Sequence, residues 1–191
     1  MKLFSVLISV LVPLAAFNVE AASGIRIGAL TASGKACVST NIRAIVRNNT
    51  IAIPGQAIVQ LSRFDRLERG ACQFALPIQV SNGYRLRVVG MTAQEMVQLS
   101  SRTSSRSQIE VFLPGQRQQP LISQNRARGQ NLSHRRMISS GLNIVSGCGQ
   151  SLILRGNAAV TLQKQDFGQW QVSSRVALSN LRLRYFIESC H

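Results

Sequence analysis

Few residues in this sequence could carry out acid–base or nucleophilic catalysis. His134 is the only histidine away from the chain end, because the other histidine is the last residue. A serine triad would need His134 together with Asp65 or Asp166, yet the sequence contains no Gly-x-Ser-x-Gly nucleophile motif. Arg135 and Arg136 follow His134 directly and disfavour its charged form. The pattern predicts a solvent-exposed loop histidine and a protein that is not an enzyme.

Paired carboxylates, which could hydrolyse a glycosidic bond, are also scarce. A glycosidase needs two of them at a defined separation, and the whole chain has 7 acidic residues. Asp65 and Glu68 lie among arginines that favour their ionised forms, so this segment indicates local ion pairing. The other candidates are Glu95, Glu110, Asp166 and Glu188. An enzyme would require His134 or one acidic pair to converge in a pocket.

Arginine is the residue type that points most clearly to a ligand. The chain carries 22 Lys and Arg against 7 Asp and Glu, a formal net charge of +15, and arginines outnumber lysines 19 to 3. Guanidinium groups bind phosphate, sulfate and carboxylate in two-point geometry. One hypothesis is an anion-binding surface whose candidates lie on two strand faces and in one polar segment: Arg85, Arg87, Arg126, Arg128, Arg135, Arg136, Arg182 and Arg184. The alternative is that the charge serves only solubility.

Three classes of function stay open, of which an enzyme is the least expected. The favoured one is a non-enzymatic structural or protein-interaction protein of the cell envelope or secretome. The alternative is a binding module for anionic envelope or extracellular polymers, with affinity that falls steeply with salt. The partners that fit are anionic polysaccharide, lipopolysaccharide or an envelope protein. Sequence-specific nucleic-acid recognition is not expected, because aromatic residues, on which single-stranded bases stack, make up only 5% of the chain.

The N-terminal segment is typical of a secretory signal peptide. Lys2 precedes an apolar run from Leu3 to Phe17, which is shorter than the roughly 20 residues that a membrane span needs. Val19-Glu20-Ala21 places small residues where signal peptidase requires them. We predict a signal peptide at residues 1–21, a single domain at residues 22–191, and no membrane span after cleavage. The protein is expected to be secreted or periplasmic.

Cysteine usage agrees with export. An even number of cysteines in an exported chain indicates two disulfides, and the four are Cys37, Cys72, Cys148 and Cys190. The sequence has no Cys-x-x-Cys pair, phosphate loop or dinucleotide fingerprint, so we expect neither a metal nor a cofactor. Three disulfide pairings are compatible with the sequence. We favour Cys37–Cys72 with Cys148–Cys190, because each bond then closes one half of the chain.

Alternation of apolar and polar residues predicts strands along most of the chain. Ile42–Ile53, with a turn at Asn48-Asn49, is typical of a hairpin. Cys72–Val80 and Leu181–Ile187 alternate clearly, and a helical turn is predicted only at Thr92–Leu99. Many short strands with turn signals between them predict an all-β fold, an antiparallel β-sandwich.

The segment from Gly115 to Arg136 differs in composition from the rest of the chain. It is rich in glutamine and arginine and contains no acidic residue. We predict a long polar loop or a loosely held hairpin there. Division into two domains at this point is the alternative, because each half of the chain carries two cysteines.

The order of several short motifs resembles a known family. The motifs are GIRI at 24–27, SGKAC at 33–37, RGACQFALPI at 69–78, GCG at 147–149 and SC at 189–190. In this order they resemble the secreted four-cysteine family of unknown function, domain of unknown function number 4360. The resemblance covers nearly all of the mature chain and implies export, a β-rich structure and paired cysteines. It transfers no catalytic residue, and the heavy arginine content departs from the family pattern.

Overall fold

The computed structural model describes residues 24–39, 42–116, 118–165 and 173–190. The predicted signal peptide at residues 1–21 lies outside these ranges, as do Asp166 and His191, so export stays a prediction. The described residues form eleven strands: β1 (Ile25–Ile27), β2 (Thr31–Ser33), β3 (Ile45–Arg47), β4 (Thr50–Leu61), β5 (Leu67–Val80), β6 (Tyr84–Leu99), β7 (Thr103–Phe112), β8 (Leu121–Arg126), β9 (Leu132–Val145), β10 (Ser151–Lys164) and β11 (Ser174–Ser189). In these ranges no helix has the length and hydropathy needed to cross a membrane.

The strands form two antiparallel sheets that pack face to face. Sheet A has the order β1-β5-β10-β7-β8, and β2 also pairs with β5. Sheet B has the order β3-β4-β11-β6-β9. The core lies between the sheets, where Ile51, Leu76, Val88, Leu154 and Leu183 are fully buried. Because each such side chain stabilises the fold by about 1.5–3 kcal/mol, the inner faces hold the sandwich together. The predicted antiparallel β-sandwich is confirmed.

Strand alternation decides which side chains face the core. In β11, Leu183 and Tyr185 are buried, whereas Arg182 and Arg184 are exposed on the outer face of sheet B. The predicted hairpin is also confirmed, because Asn48 and Asn49 connect β3 to β4 with φ values of 47° and 56°. Asparagine tolerates this left-handed conformation better than most residues, and two such residues in succession match the twist of a hairpin.

Both favoured disulfide pairings are confirmed. Cys37 bonds to Cys72 with a Cα–Cα distance of 4.8 Å, and Cys148 bonds to Cys190 with a Cα–Cα distance of 6.2 Å. Cys37 also forms an isolated β-bridge with Ala57 of sheet B. The first disulfide therefore connects a segment that touches sheet B to β5 of sheet A. In the chain-entropy model, loops of this length contribute roughly 3–4 kcal/mol each.

The prediction of a long loop or loose hairpin at Gly115–Arg136 was wrong. This segment contains β8 and the start of β9, and these strands pair in different sheets, β8 with β7 and β9 with β6. The inward positions of β8 are Ser123 and Asn125, which meet a buried carboxylate instead of an apolar core. Polar residues on both faces remove the hydrophobic alternation by which a strand is recognised.

The helical turn predicted at Thr92–Leu99 was also wrong, because this segment lies within β6. Ala93, Val97 and Leu99 face the core, and the intervening inward position is Glu95. A charged residue at one inward position leaves Ala93 and Val97 as apolar residues four apart. That spacing imitates the period of a helix.

Candidate functional site

A groove of about 530 Å³ lies on the outer face of sheet B, opposite the face that packs against the core. Residues of four neighbouring strands line it: Thr50 of β4, Arg182 and Arg184 of β11, Val89, Gly90, Met91 and Thr92 of β6, and Ser139, Ser140 and Gly141 of β9. Because neighbouring strands lie about 4.8 Å apart, four strands span about 14 Å. The groove is therefore wide enough for an extended ligand.

Irregular strand pairing on both sides of Arg182–Arg184 shapes the groove. The pairing of β11 with β6 shifts between Ser179 and Arg182, and again between Arg184 and Tyr185. The pairing of β6 with β9 shifts between Val88 and Gly90. Bulges bend a strand and increase its local twist. Sheet B is therefore bent on both sides of the segment that carries the two arginines.

Two rows of residues cross the groove from strand to strand. In the first row, Arg182 lies opposite Thr92, and Thr92 lies opposite Ser139. This row combines one guanidinium group with two hydroxyl groups.

The second row starts at Arg47 of β3, which pairs with Thr50. Arg184 follows, opposite both Thr50 and Gly90, and Gly90 lies opposite Gly141. This row combines a guanidinium group with bare backbone. Arg47 is exposed, and its position beside the groove could not be inferred from the sequence, because it depends on the pairing of β4 with β11.

The guanidinium groups of Arg182 and Arg184 form no ion pair or hydrogen bond with any other described residue. No acidic side chain lines the groove in the part of the chain that the structure describes. Both groups are therefore free to bind an anion from solution.

Arg85 and Arg87 lie on the same outer face but share one carboxylate. Arg85 Nε donates to Glu188 Oε2 at 2.8 Å, and Arg87 Nε donates to Glu188 Oε1. Arg87 also donates to Asn143 Oδ1 at 3.1 Å. The hydrogen bond from Arg87 and the charges of both arginines hold the pKa of the Glu188 carboxyl below its usual range. This cluster carries one net positive charge instead of two.

Arg136 is partly exposed at the sheet edge, but its guanidinium group binds polar side chains of the sandwich interior. Its Nε lies 3.0 Å from Oε2 of the fully buried Glu95, and its Nη2 donates to Ser123 Oγ at 2.7 Å and to Asn125 Oδ1 at 3.1 Å. Burial raises the pKa of Glu95, but the hydrogen bonds from Ser123 and Arg136, with the charge of Arg136, bring the net pKa below its ordinary value. The guanidinium of Arg136 is therefore engaged within the protein.

The remaining predicted arginines are dispersed. Arg126, at the end of β8, donates to Gln165 Oε1 at 2.9 Å. Arg128 is exposed in the connection from β8 to β9. Arg135 lies on β9, where its Nη2 is 3.8 Å from Met96 Sδ. Of the eight candidate arginines, only Arg182 and Arg184 line the groove.

The predicted loop position of His134 was wrong. His134 lies on β9 opposite Val97, is partly buried, and its Nε2 is buried without a hydrogen-bond partner among the described residues. The position could not be predicted because the neighbouring β8–β9 segment lacks hydrophobic alternation. The described lining of the groove contains neither histidine nor acid. No group of three or more His, Cys, Asp or Glu within the described residues could hold a metal ion.

Comparisons with known proteins identify the family. A family model described as Domain of unknown function (DUF4360) matches residues 23–190. No curated protein matches the sequence. One similar solved structure is the carbohydrate-binding module TmCBM61 in complex with β-1,4-galactotriose, at 7% identity and a TM-score of 0.31, covering 84% of this chain and 88% of that chain.

Two further solved structures are similar at the same low level. The adhesin domain of Epf from Streptococcus pyogenes has 11% identity and a TM-score of 0.28, covering 71% of this chain and 46% of that chain. The family 11 carbohydrate-binding module from Clostridium thermocellum, in complex with a β-1,3-1,4-mixed-linked tetrasaccharide, has 9% identity and a TM-score of 0.24, covering 84% and 86%. Likenesses this weak carry no information about ligand or activity.

Proposed function

We propose, from the premise that the chain belongs to the DUF4360 family of unknown function, that it is an exported, non-enzymatic binding protein whose groove on sheet B holds an anionic polysaccharide. One observation carries this proposal: Arg182 and Arg184 line a groove in which no described acidic residue neutralises them. Two disulfides suit an oxidising compartment outside the cytoplasm, in agreement with the predicted signal peptide.

The chemistry of the lining fits a sugar polymer that carries carboxylates. The hydroxyl groups of Thr50, Thr92 and Ser139 can donate and accept hydrogen bonds, as the hydroxyl groups of a sugar can. The planar guanidinium fork matches a carboxylate in two-point geometry. The described lining contains no aromatic ring, so a flat platform for stacking a nucleic-acid base is missing.

The two arginines also suit a repeating ligand. Arg182 and Arg184 are alternate residues of one strand, so their Cα atoms are about 6.8 Å apart along the same face. Two anionic groups of one chain can then bind side by side. Since both arginines are exposed, dissolved ions screen the interaction, and affinity is expected to fall as ionic strength rises.

A protein-interaction function is the second candidate. Strand β9 is a 14-residue edge strand of sheet B, and Met137 on it has 55% of its surface exposed. Long sheet edges can pair with a strand of another chain. This function predicts binding to a protein partner or self-association. The affinity of either interaction should depend little on salt.

The test is binding of the purified, oxidised chain without residues 1–21 to immobilised polymers across a salt series. The polymers are polygalacturonate, neutral galactan, lipopolysaccharide and duplex DNA. The variant Arg182→Gln/Arg184→Gln is compared with Arg126→Gln/Arg128→Gln, which removes the same charge away from the groove. We expect the groove variant to lose about tenfold or more in affinity for polygalacturonate, and the control to lose little.

Two outcomes would overturn the proposal. Equal losses in both variants would assign binding to net charge alone. Absence of polygalacturonate binding by the unmodified chain would remove the proposed ligand class.

A further inference from the structure

Two glycines face each other in the floor of the groove. Gly90 of β6 is the register partner of Gly141 of β9, and both line the groove. Glycine in the interior of a strand is unfavourable, because it loses more backbone entropy than other residues and offers no side chain to pack. A pair of them on neighbouring strands therefore needs a physical reason.

The pairing shift between Val88 and Gly90 adjoins both glycines, but the backbone dihedral angle φ at neither position requires glycine. Gly90 and Gly141 both lack the positive φ that makes glycine the preferred residue at Gly83, where φ is 80°. A side chain would be accepted at either position as far as the backbone dihedral angles are concerned.

Packing within the protein does not supply the reason either. A Cβ at Gly141 would have no heavy atom within 4 Å, and a Cβ at Gly90 would meet Ser140 O at 3.5 Å, an ordinary contact. Other glycines of this fold are enclosed: a Cβ at Gly156 would lie 2.1 Å from Phe74 Cζ, and one at Gly34 would lie 2.2 Å from Ala71 O. The space that Cβ atoms at Gly90 and Gly141 would occupy belongs to the groove.

We propose that Gly90 and Gly141 form a contact floor on which the polysaccharide lies directly against the sheet backbone, and that this floor selects unbranched chains. The inference rests on the function proposed above. Without Cβ atoms, a sugar ring reaches the backbone while its carboxylates reach Arg182 and Arg184 beside it. A branch or acyl group on the face of the ring towards the sheet would meet backbone atoms and lift the chain away from both arginines.

The neighbouring row explains why the floor is confined to the glycine pair. Thr92 and Ser139 lie next along β6 and β9 and carry side chains with hydroxyl groups. They border the bare backbone on one side and can hydrogen-bond to the hydroxyl groups of the ring. On the other side, the shift in pairing between Val88 and Gly90 bends the sheet.

The test uses Gly141→Ala and, as a second variant, Gly90→Ala. Ala159→Ser, which adds one atom on the outer face of sheet A, is the matched control. Alanine fits an extended strand and restricts the unfolded chain, so the thermal midpoint of both glycine variants should equal or exceed that of the unmodified protein. Affinity for linear polygalacturonate should fall about tenfold, while Ala159→Ser keeps it unchanged.

A second arm compares linear polygalacturonate with the same polymer after O-acetylation. The unmodified protein should prefer the unacetylated polymer by about tenfold. Unchanged affinity in both glycine variants, or equal affinity for the two polymers, would contradict the proposal that Gly90 and Gly141 form a contact floor. If the unmodified protein bound no polyuronate, or if Arg182→Gln/Arg184→Gln had no effect, the proposed function itself would fail, so the two failures are distinguishable.

Discussion

Glu95 and Arg136 face each other across β6 and β9 at one edge of the sandwich, and their side chains form an ion pair of 3.0 Å in which Glu95 is fully buried and Arg136 is partly exposed. Ser123 and Asn125 of sheet A hydrogen-bond to both members of the pair. Strands β8 and β9 are edge strands of different sheets. The polar cluster therefore joins the two sheets at one edge of the sandwich.

Removal of Arg136 alone should destabilise the protein. Arg136→Ala leaves a buried carboxylate without its charged partner, which typically costs about 1–3 kcal/mol. Equilibrium unfolding in urea measures the loss. Arg135→Ala, on the exposed side of the same strand, should change the free energy of unfolding by less than about 0.5 kcal/mol. Equal effects of the two substitutions would show that the ion pair does not matter for stability.

Acid should weaken the fold through Glu95. Its folded-state pKa is lowered, so the folded protein holds this proton less tightly than the unfolded chain does. The corresponding stability is present above the unfolded pKa of about 4.3 and is lost as the pH falls through the lower, folded value. Urea unfolding between about pH 3 and pH 7 should show a smaller decline for Glu95→Gln than for the unmodified protein.

The pKa of Glu188 is lowered too, so Glu188→Gln is the comparison that separates the two carboxyl groups. The Glu188→Gln variant should still lose the free energy of unfolding that depends on an ionised Glu95 when the pH falls. An unchanged pH dependence in Glu95→Gln would contradict the assignment.

Removal of Glu188 should strengthen binding of anionic polymers. Its carboxylate neutralises part of the charge of Arg85 and Arg87 on the outer face of sheet B, so Glu188→Gln adds a net positive charge to the face that carries the groove. We expect affinity for polygalacturonate to rise by about two- to fivefold at low salt, and this gain to shrink as salt is added. Glu110→Gln makes the same change in charge on sheet A, and a similar gain there would mean that only net charge counts.

Two glutamine side chains cover part of the free edge of β9. Gln116 Nε2 donates to Val145 O at 2.7 Å, and Gln116 Oε1 accepts from Val145 N at 3.3 Å. Gln118 makes the same pair of bonds with Asn143, with Nε2 donating at 3.1 Å and Oε1 accepting at 3.3 Å. Each side-chain amide pairs with the backbone N–H and C=O of one edge residue, as a neighbouring strand would.

Replacing both amides should therefore expose strand edge. Gln116→Leu/Gln118→Leu should increase self-association, which sedimentation velocity measures over a range of concentrations. Gln119→Leu adds the same kind of apolar side chain in the same segment but leaves both amides in place. Association in Gln119→Leu alone would attribute the effect to hydrophobicity instead of the uncovered edge.

Much of the fold could be predicted from local patterns. Alternation identified most strands and the outward direction of Arg182 and Arg184, and the asparagine pair identified the β3–β4 turn. These properties are local, because side chains alternate along any strand whatever lies beside it. The alternation pattern did not identify the strands where Glu95, Ser123 and Asn125 occupy inward positions. Buried polar residues at these positions give the same sequence pattern as a solvent-exposed segment.

The composition of the site was decided by the tertiary structure. Arg87 and Glu188 are 101 residues apart in sequence, yet they form an ion pair, whereas Arg182 and Arg184 have no acidic partner among the described residues. The sequence determined that the chain builds strands with arginines on their outer faces and pairs its cysteines. Sheet order and register decided which arginines are neutralised and which two glycines meet, because these depend on the strand that lies alongside, and that strand comes from a distant part of the chain.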